Sequence, residues 1–365
     1  MPSTEDFYKL HNLKRIKFLD IEGSYFIFNT QQSTITQKAN LPREYLPFVV
    51  KAVIPPVKTL ILHATYNCNL SCIHCYLNAG KPSSWEMDSN ELTRIVKEFG
   101  DMGGLQVDIS GGEPLLKEGI EEVIYASRDK RLRTFVLSNA IDLDSSLLNR
   151  IRNHIDGMAI GLDGLYDVND KIRGHGSFTK ILKGLDLISK LGVELSITTL
   201  ISEASIPQLL DFPNIINKYG ATSWSLVMPR PSGRFITQGR KIMNSYAKWE
   251  FYKKNGLLGK LYDETSKRNI KVILDHILVP ASKRNLDKKM RDIAYEIYNK
   301  GRACWDNTLT VMPNGDLKCC LFFDDQIYDN VLHKSLKETY LSSPRKEAIK
   351  RFKKFPSDQC PYLAG

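Results

Sequence analysis

No apolar run in these 365 residues is long enough to cross a bilayer as a helix, so a membrane span is not expected. The opening stretch, Met1-Pro2-Ser3-Thr4-Glu5-Asp6, is acidic and polar and lacks the basic and apolar segments of a secretory signal. There is no internal repeat and no low-complexity tract, which excludes a solenoid. Basic residues are not interleaved with aromatics, so no nucleic-acid partner is expected. Cysteine is scarce. The seven present are Cys68, Cys72, Cys75, Cys304, Cys319, Cys320 and Cys360. Their number is odd and they fall into two distant groups, unlike the framework of a small disulfide-rich secreted domain. Reduced thiols that hold metal in a cytoplasmic protein fit better.

The chain is long enough to bury a large core and to divide into a large and a smaller domain. Its formal net charge is +10, with the densest basic run at 344–354. That run reads as a solvated helix face or tail, or as a weak anionic contact site for nucleic acid or an acidic peptide.

Residues 1–56 read as a small leader region. Strands are expected over 16–19 and 25–29 around the turn Glu22-Gly23-Ser24, before a break at Pro55-Pro56. From residue 57 to 230 strand and helix patterns alternate. Strands are expected over 59–64, 105–110, 134–138, 157–162, 194–200 and 223–228. Helices fall between them, over 89–102, 118–128, 145–153, 177–191 and 205–219, the first capped by Ser89 and the fourth by Ser177. Six β/α units in succession predict a parallel sheet curled into a partial (β/α)6 barrel, with chemistry at the carboxyl ends of the strands. Residues 231–300 read as a helical connecting segment, with helices over 244–255 and 286–299. Residues 301–365 form a small α+β tail carrying the other four cysteines, with a hairpin around Pro313-Asn314-Gly315.

The most informative feature is Cys68-Asn69-Leu70-Ser71-Cys72-Ile73-His74-Cys75. The C-x3-C-x2-C spacing puts three thiolates on one tight loop just past the first expected strand. Three is one short of a closed tetrahedral site. A cubane [4Fe–4S] cluster held this way keeps one iron open to a small molecule. The competing reading is a structural zinc site with His63 or His74 as the fourth ligand, in a non-catalytic binding protein. Gly111-Gly112-Glu113-Pro114 closes the second expected strand. Its glycines admit a close approach of backbone to a ligand, and Glu113 then faces that ligand.

Together the cysteine loop, the Gly-Gly-Glu-Pro and the barrel-like alternation resemble the radical S-adenosylmethionine (SAM) enzymes, and the tail resembles that superfamily's SPASM/twitch branch of peptide and cofactor maturases. The resemblance implies a [4Fe–4S] cluster on Cys68, Cys72 and Cys75 whose open iron chelates the methionine end of SAM. Reductive cleavage then gives a 5′-deoxyadenosyl radical that abstracts hydrogen from the substrate. It implies SAM contacts from Gly111, Gly112, Glu113, Ser138, Asn139, Asp163 and Arg173, with His74 where an aromatic residue usually lies beside the adenine. Gly161-Leu162-Asp163-Gly164 is similar to a Ser-Leu-Asp-Gly motif of that branch, with Gly161 in place of the serine. Arg173 lies in a stretch, 169–178, similar to the branch's arginine motif. Thr198 and Thr199 are placed near the adenine or ribose, or in plain strand packing. Residues 228–234 are placed at the barrel mouth. In the tail, Cys304, Gly315 and Cys320 follow the spacing of a twitch module, implying one auxiliary [4Fe–4S] cluster on Cys304, Cys320 and Cys360, with Cys319 as a fourth ligand or a bystander. Expected partners are a peptide or small-molecule substrate and a flavodoxin- or ferredoxin-like electron donor. The alternative substrate within the same chemistry is a tetrapyrrole or another small molecule, including a lipid.

Overall fold

The computed structural model describes residues 16–21, 24–30, 34–38, 40–41, 45–46, 49–52, 58–81, 83, 85–229, 232–238, 255–275, 308–318, 327–342 and 347. Two sheets organise them. The first joins strands β1 (Ile16–Ile21), β2 (Ser24–Asn29), β3 (Thr34–Lys38) and β4 (Val49–Lys51) in the order β3-β2-β1-β4. The expected N-terminal hairpin is the β1/β2 antiparallel pair, registered from Ile16 opposite Asn29 to Ile21 opposite Ser24.

The second sheet has ten strands. Its centre is a parallel run: β5 (Thr59–His63), β6 (Gln106–Ser110), β7 (Arg133–Ser138), β8 (Gly157–Gly161), β9 (Glu194–Leu200) and β10 (Ser223–Val227), each paired with the next. Leu60 and Leu62 on β5, Val107 and Ile109 on β6, and Met158 and Ile160 on β8 are fully buried. Helices α1 (Ser89–Asp101), α2 (Ile120–Asp129), α3 (Ser145–Ile151), α4 (Asp167–Arg173), α5 (Ser177–Ile188) and α6 (Phe212–Lys218) connect them. Amphipathic spacing explains the packing. In α1, Leu92, Ile95, Val96 and Phe99 recur at three- and four-residue intervals and all are buried. The cap of α1 is Asp88 rather than Ser89: its carboxylate accepts from the Glu91 amide while the Glu91 side chain accepts from the Asp88 amide.

The sheet extends beyond the expected six strands on both sides. Helix α7 (Leu257–Ser266) leads to β11 (Lys271–Leu274), which lies parallel to β10. In the sequence this stretch falls within the expected connecting segment, 231–300. A four-residue edge strand opening on a lysine, with only Leu274 fully buried, carries little periodicity. The helices expected over 244–255 and 286–299, and the basic run at 344–354, lie outside the described residues apart from Asn255 and Glu347.

On the opposite edge, β12 (Thr308–Val311) pairs parallel with β5, Leu309 opposite Leu60 and Val311 opposite Leu62. β13 (Asp316–Lys318) returns antiparallel to β12 as the expected hairpin, and β14 (Ile327–Asn330) continues the sheet before α8 (Leu336–Leu341). The tail is therefore built onto the strand that leads into the cysteine loop.

Candidate functional site: the cysteine loop at the barrel mouth

The loop that leaves β5 is closed on itself. Asn67 and Gly80 form an isolated parallel bridge, the Cys68 amide donates to the Gly80 carbonyl at 2.9 Å, and the Gly80 amide donates to the Tyr66 carbonyl at 3.0 Å. Cys68, Cys72 and Cys75 lie within this closed loop and are free thiols. Glu86 holds its base, accepting from the Thr65 hydroxyl at 2.7 Å and the Tyr66 amide at 2.8 Å. Burial pushes the Cys72 thiol up to about 11, and burial also raises Cys68.

Gly111 and Gly112 make their close approach to protein, not to open space. A Cβ at Gly111, where φ is +136°, would lie 2.6 Å from the Thr65 carbonyl oxygen. One at Gly112 would lie 2.2 Å from the Asn67 carbonyl oxygen. The Gly112 and Glu113 amides donate to the Thr65 and Asn67 carbonyls at 2.7 and 2.8 Å. The glycine pair thus lets the end of β6 hydrogen-bond directly to the root of the cysteine loop.

Glu113 is buried and accepts from the Asn139 amide at 2.8 Å and the Leu115 amide at 3.2 Å. Burial lifts its carboxyl to about 7 against these hydrogen bonds and one from Ser138. Asn139, just past β7, donates to the Asn69 side chain at 2.7 Å and lies 3.8 Å from the Cys68 sulfur. Residues 113, 138 and 139 therefore brace the cysteine loop from two neighbouring strand ends.

The next group is built around Asp163, past β8. It is buried, accepts from Arg173 Nε at 2.7 Å and from the Leu200 amide at 2.7 Å, and lies 3.6 Å from His74 Nε2. Burial alone would raise the carboxyl. The Arg173 and His74 charges and the hydrogen bonds outweigh it and hold it below the ordinary carboxylate range. His74 is pushed down to about 4, chiefly by burial, and its Nδ1 is buried without a partner. Arg173 is placed by its own motif. Asn169 accepts from the Asp163 amide and donates to Ser177, and Asp170 accepts from the Gly176 and Phe178 amides at 2.6 and 2.8 Å. The start of α5 is thus satisfied by Asp170; Ser177 is its first helical residue and not its cap. Thr199 is internal packing: it donates to the Leu162 carbonyl and accepts from the Trp224 indole.

Sequence reasoning placed Arg234 at the mouth by position alone. Its side chain holds three groups of the cysteine loop, a contact no local motif signals. A cavity of about 610 Å³ opens between Cys68, Gly80, Arg173 and Arg234. Cys304, Cys319, Cys320 and Cys360 lie outside the described residues.

Three thiols on one loop beside a cavity of this size fit a cubane cluster, because each thiolate binds a different iron and they need not converge. A zinc site asks for convergence on one point. Among the described residues no three His, Cys, Asp or Glu side chains are grouped to hold a single ion.

The parallel α/β run carries its cysteine loop, glycine turn and polar cluster all at the carboxyl ends of strands, where barrel folds of this class place their sites. The radical SAM superfamily profile matches residues 62–211, from the end of β5 to the start of α6. Over these residues the chain is similar to the radical SAM superfamily. Mycofactocin maturase MftC of Mycobacterium tuberculosis (strain CDC 1551 / Oshkosh) is 30% identical over 174 residues, 47% of this chain and 44% of that protein. An AdoMet-dependent heme synthase of Oleidesulfovibrio alaskensis is 24% identical, over 55% and 53% of the two chains. The chain spans about half the length of these curated relatives. Streptococcus suis SuiB bound to S-adenosylmethionine superposes with a TM-score of 0.73 at 16% identity, over 93% of this chain and 89% of that one. The structure of anSMEcpe with bound AdoMet gives 0.64 at 17%, over 84% and 81%. The shared fold with SuiB covers nearly the whole of this chain.

Proposed function

We propose that this chain is a radical SAM maturase that modifies a peptide, with SAM as its radical source. The carrying observation is the closed Cys68–Cys75 loop at the end of β5, braced by Gly112, Glu113 and Asn139 from the next two strand ends. Cys68, Cys72 and Cys75 would hold a [4Fe–4S] cluster, which would supply the single electron for reductive cleavage of SAM and hence for hydrogen abstraction from the substrate.

The chain's own residues do the positioning. Glu113 and Asn139 fix the loop so that its sulfurs stay oriented. Asp163 fixes the Arg173 guanidinium through Nε and leaves the remaining nitrogens beside Gly161, at the edge of the cavity, where a ligand carboxylate can be held. His74, neutral and buried, offers an aromatic face rather than a charge.

The peptide reading is supported by the folds of SuiB, which has been solved with its precursor peptide SuiA, and of anSMEcpe, which has been solved with the Cp18Cys peptide. The heme synthase match favours a tetrapyrrole substrate as the second reading. Cys304, Cys320 and Cys360, with or without Cys319, are proposed to hold one auxiliary cluster. A flavodoxin- or ferredoxin-like protein is proposed as electron donor, and the cytoplasm as the location. No described helix is long and apolar enough to cross a membrane.

Anaerobically reconstituted protein given SAM and dithionite should release 5′-deoxyadenosine; none released would end this reading. Iron should fall from about eight to about four per chain in the Cys68→Ala, Cys72→Ala, Cys75→Ala variant. Mass change of a candidate precursor peptide, against that of an iron-porphyrin precursor, separates the two substrate classes.

A further inference from the structure

β5 and β10 carry the first and sixth strands of the barrel and do not touch each other in the sheet. Their carboxyl-end loops nevertheless meet. The segment Ser232–Arg234 lies across the cysteine loop. The Arg234 amide donates to the Cys75 carbonyl at 2.9 Å. Its guanidinium donates through Nε to the Cys72 carbonyl at 2.9 Å, through Nη2 to the Ala79 carbonyl at 2.6 Å and through Nη1 to the Asn78 side chain at 3.3 Å. Gly233 makes the approach possible. Its φ is +57°, and a Cβ there would lie 2.3 Å from the Tyr76 carbonyl oxygen and 2.6 Å from that of Cys75. The buried Ser232 hydroxyl donates to the same Tyr76 carbonyl at 3.3 Å.

Resting on the cluster reading above, we propose that Arg234 is a positioning residue: it straps the loop of Cys72 and Cys75 from the far side of the barrel mouth and sets both the retention and the potential of the cluster held there. The physical grounds are two. A loop of about a dozen residues without regular structure opens readily, and each opening exposes thiolates to competing chelators. The Arg234 side chain ties the Cys72 carbonyl and the Ala79 carbonyl on the returning arm, so one side chain spans both arms of the loop; the backbone tie to Cys75 remains in any variant. A lysine cannot do this, because a single ammonium lacks the planar spread of donors. The second ground is charge. A fixed cation among the ligand residues favours the more negative, reduced cluster, and its removal lowers the potential.

The test compares wild type, Arg234→Gln and Arg234→Lys holoproteins, all reconstituted anaerobically. Two quantities are followed: loss of the EPR signal that SAM perturbs, under excess EDTA, and the midpoint potential of that same signal. The SAM-sensitive signal reports only on the cluster with an open iron, so auxiliary iron does not confuse it. Arg234→Gln is expected to lose the signal about tenfold faster and to have a lowered potential. Arg234→Lys is expected to lose it nearly as fast but to keep the wild-type potential. Wild-type loss rates in both variants would overturn the strap, and an unchanged potential in Arg234→Gln would overturn the electrostatic part. If Arg234→Gln does not fold, slow wild-type loss in Arg234→Lys overturns the strap by itself. Wild-type protein showing no SAM-sensitive signal would instead refute the cluster reading, a distinguishable failure.

Discussion

Gly161 departs from the serine of the motif that its surroundings resemble, and a single neighbour accounts for it. A Cβ at this position would lie 2.1 Å from Arg173 Nη2 and 2.7 Å from Nη1. The guanidinium occupies the space a serine side chain would fill, while its Nε is held by Asp163. Gly161→Ser should therefore push Arg173 aside and strain its buried ion pair. We expect a loss of about 1–3 kcal/mol in urea unfolding and weaker SAM binding by calorimetry. Unchanged affinity and stability would mean that Arg173 has a second resting place. His63 offers a complementary test. Both its ring nitrogens are buried without partners, and burial, aided by Lys318, lowers its pKa from 6.5 to about 3. Between those values the unfolded chain binds a proton that the native site refuses. Stability from this residue is therefore complete above about 6.5 and declines as pH falls towards 3, by up to roughly 5 kcal/mol. His63→Phe, which also keeps an aromatic edge against Tyr76, should move the acid-unfolding midpoint to lower pH with no loss at pH 7. A midpoint that stays put would show that another group controls acid unfolding.

At the scale of elements, the N-terminal sheet is fastened to the barrel in part by one buried lysine, whose pKa burial lowers to about 7. Lys17 on β1 donates to the carbonyls of Gly100 and Gly104 at 2.8 Å each, at the end of α1, where carbonyls lack helical partners. Leu19 and Phe28 pack beside it against Leu105. Lys17→Met keeps the stem and removes the donors, so it should cost about 1–3 kcal/mol and raise proteolysis before residue 58 ahead of the barrel. Equal cleavage rates would show that the apolar contacts suffice. This contact also illustrates what a sequence hides. The parallel β/α alternation was legible because each strand and helix carries its own period, and the cysteine loop and Gly111–Glu113 were legible because their chemistry is compressed into a few adjacent residues. Lys17 reads as an ordinary exposed lysine, since its partners lie 83 and 87 residues away. Arg234 and Cys72 are separated by 162 residues. β11 was missed because an edge strand with one fully buried residue has no pattern to detect. The glycine pair was found but its neighbour was not: the approach is to the Thr65 and Asn67 carbonyls.

For the whole molecule, the question is whether the tail is a module hung on the barrel or part of it. β12 takes the free edge of β5, and Leu309, Val311, Leu317, Val331 and Leu336 belong to the same buried core as Leu60 and Leu62. Two further ties cross from α1: Arg94 donates to the Val331 carbonyl at 2.8 Å, and Glu98 accepts from the Leu336 amide at 2.5 Å. Asn330 braces the β12–β13 turn through the Asn314 carbonyl and Asp316. A tail sharing its core and its sheet with the cysteine-bearing strand cannot open without exposing that strand. The amides of residues 309–311 should then exchange with solvent at rates within about tenfold of those of 60–62, and both should follow global unfolding. Exchange at 309–311 faster by orders of magnitude would make the tail a separate unit. Cooperative exchange has a functional consequence. β13 runs antiparallel to β12 and so to β5, and it ends at Lys318, at the end of the sheet opposite to the one from which β5 enters the cysteine loop. A tail that exchanges together with β5 would hold that strand, and with it the root of the cysteine loop, as firmly as the barrel itself does.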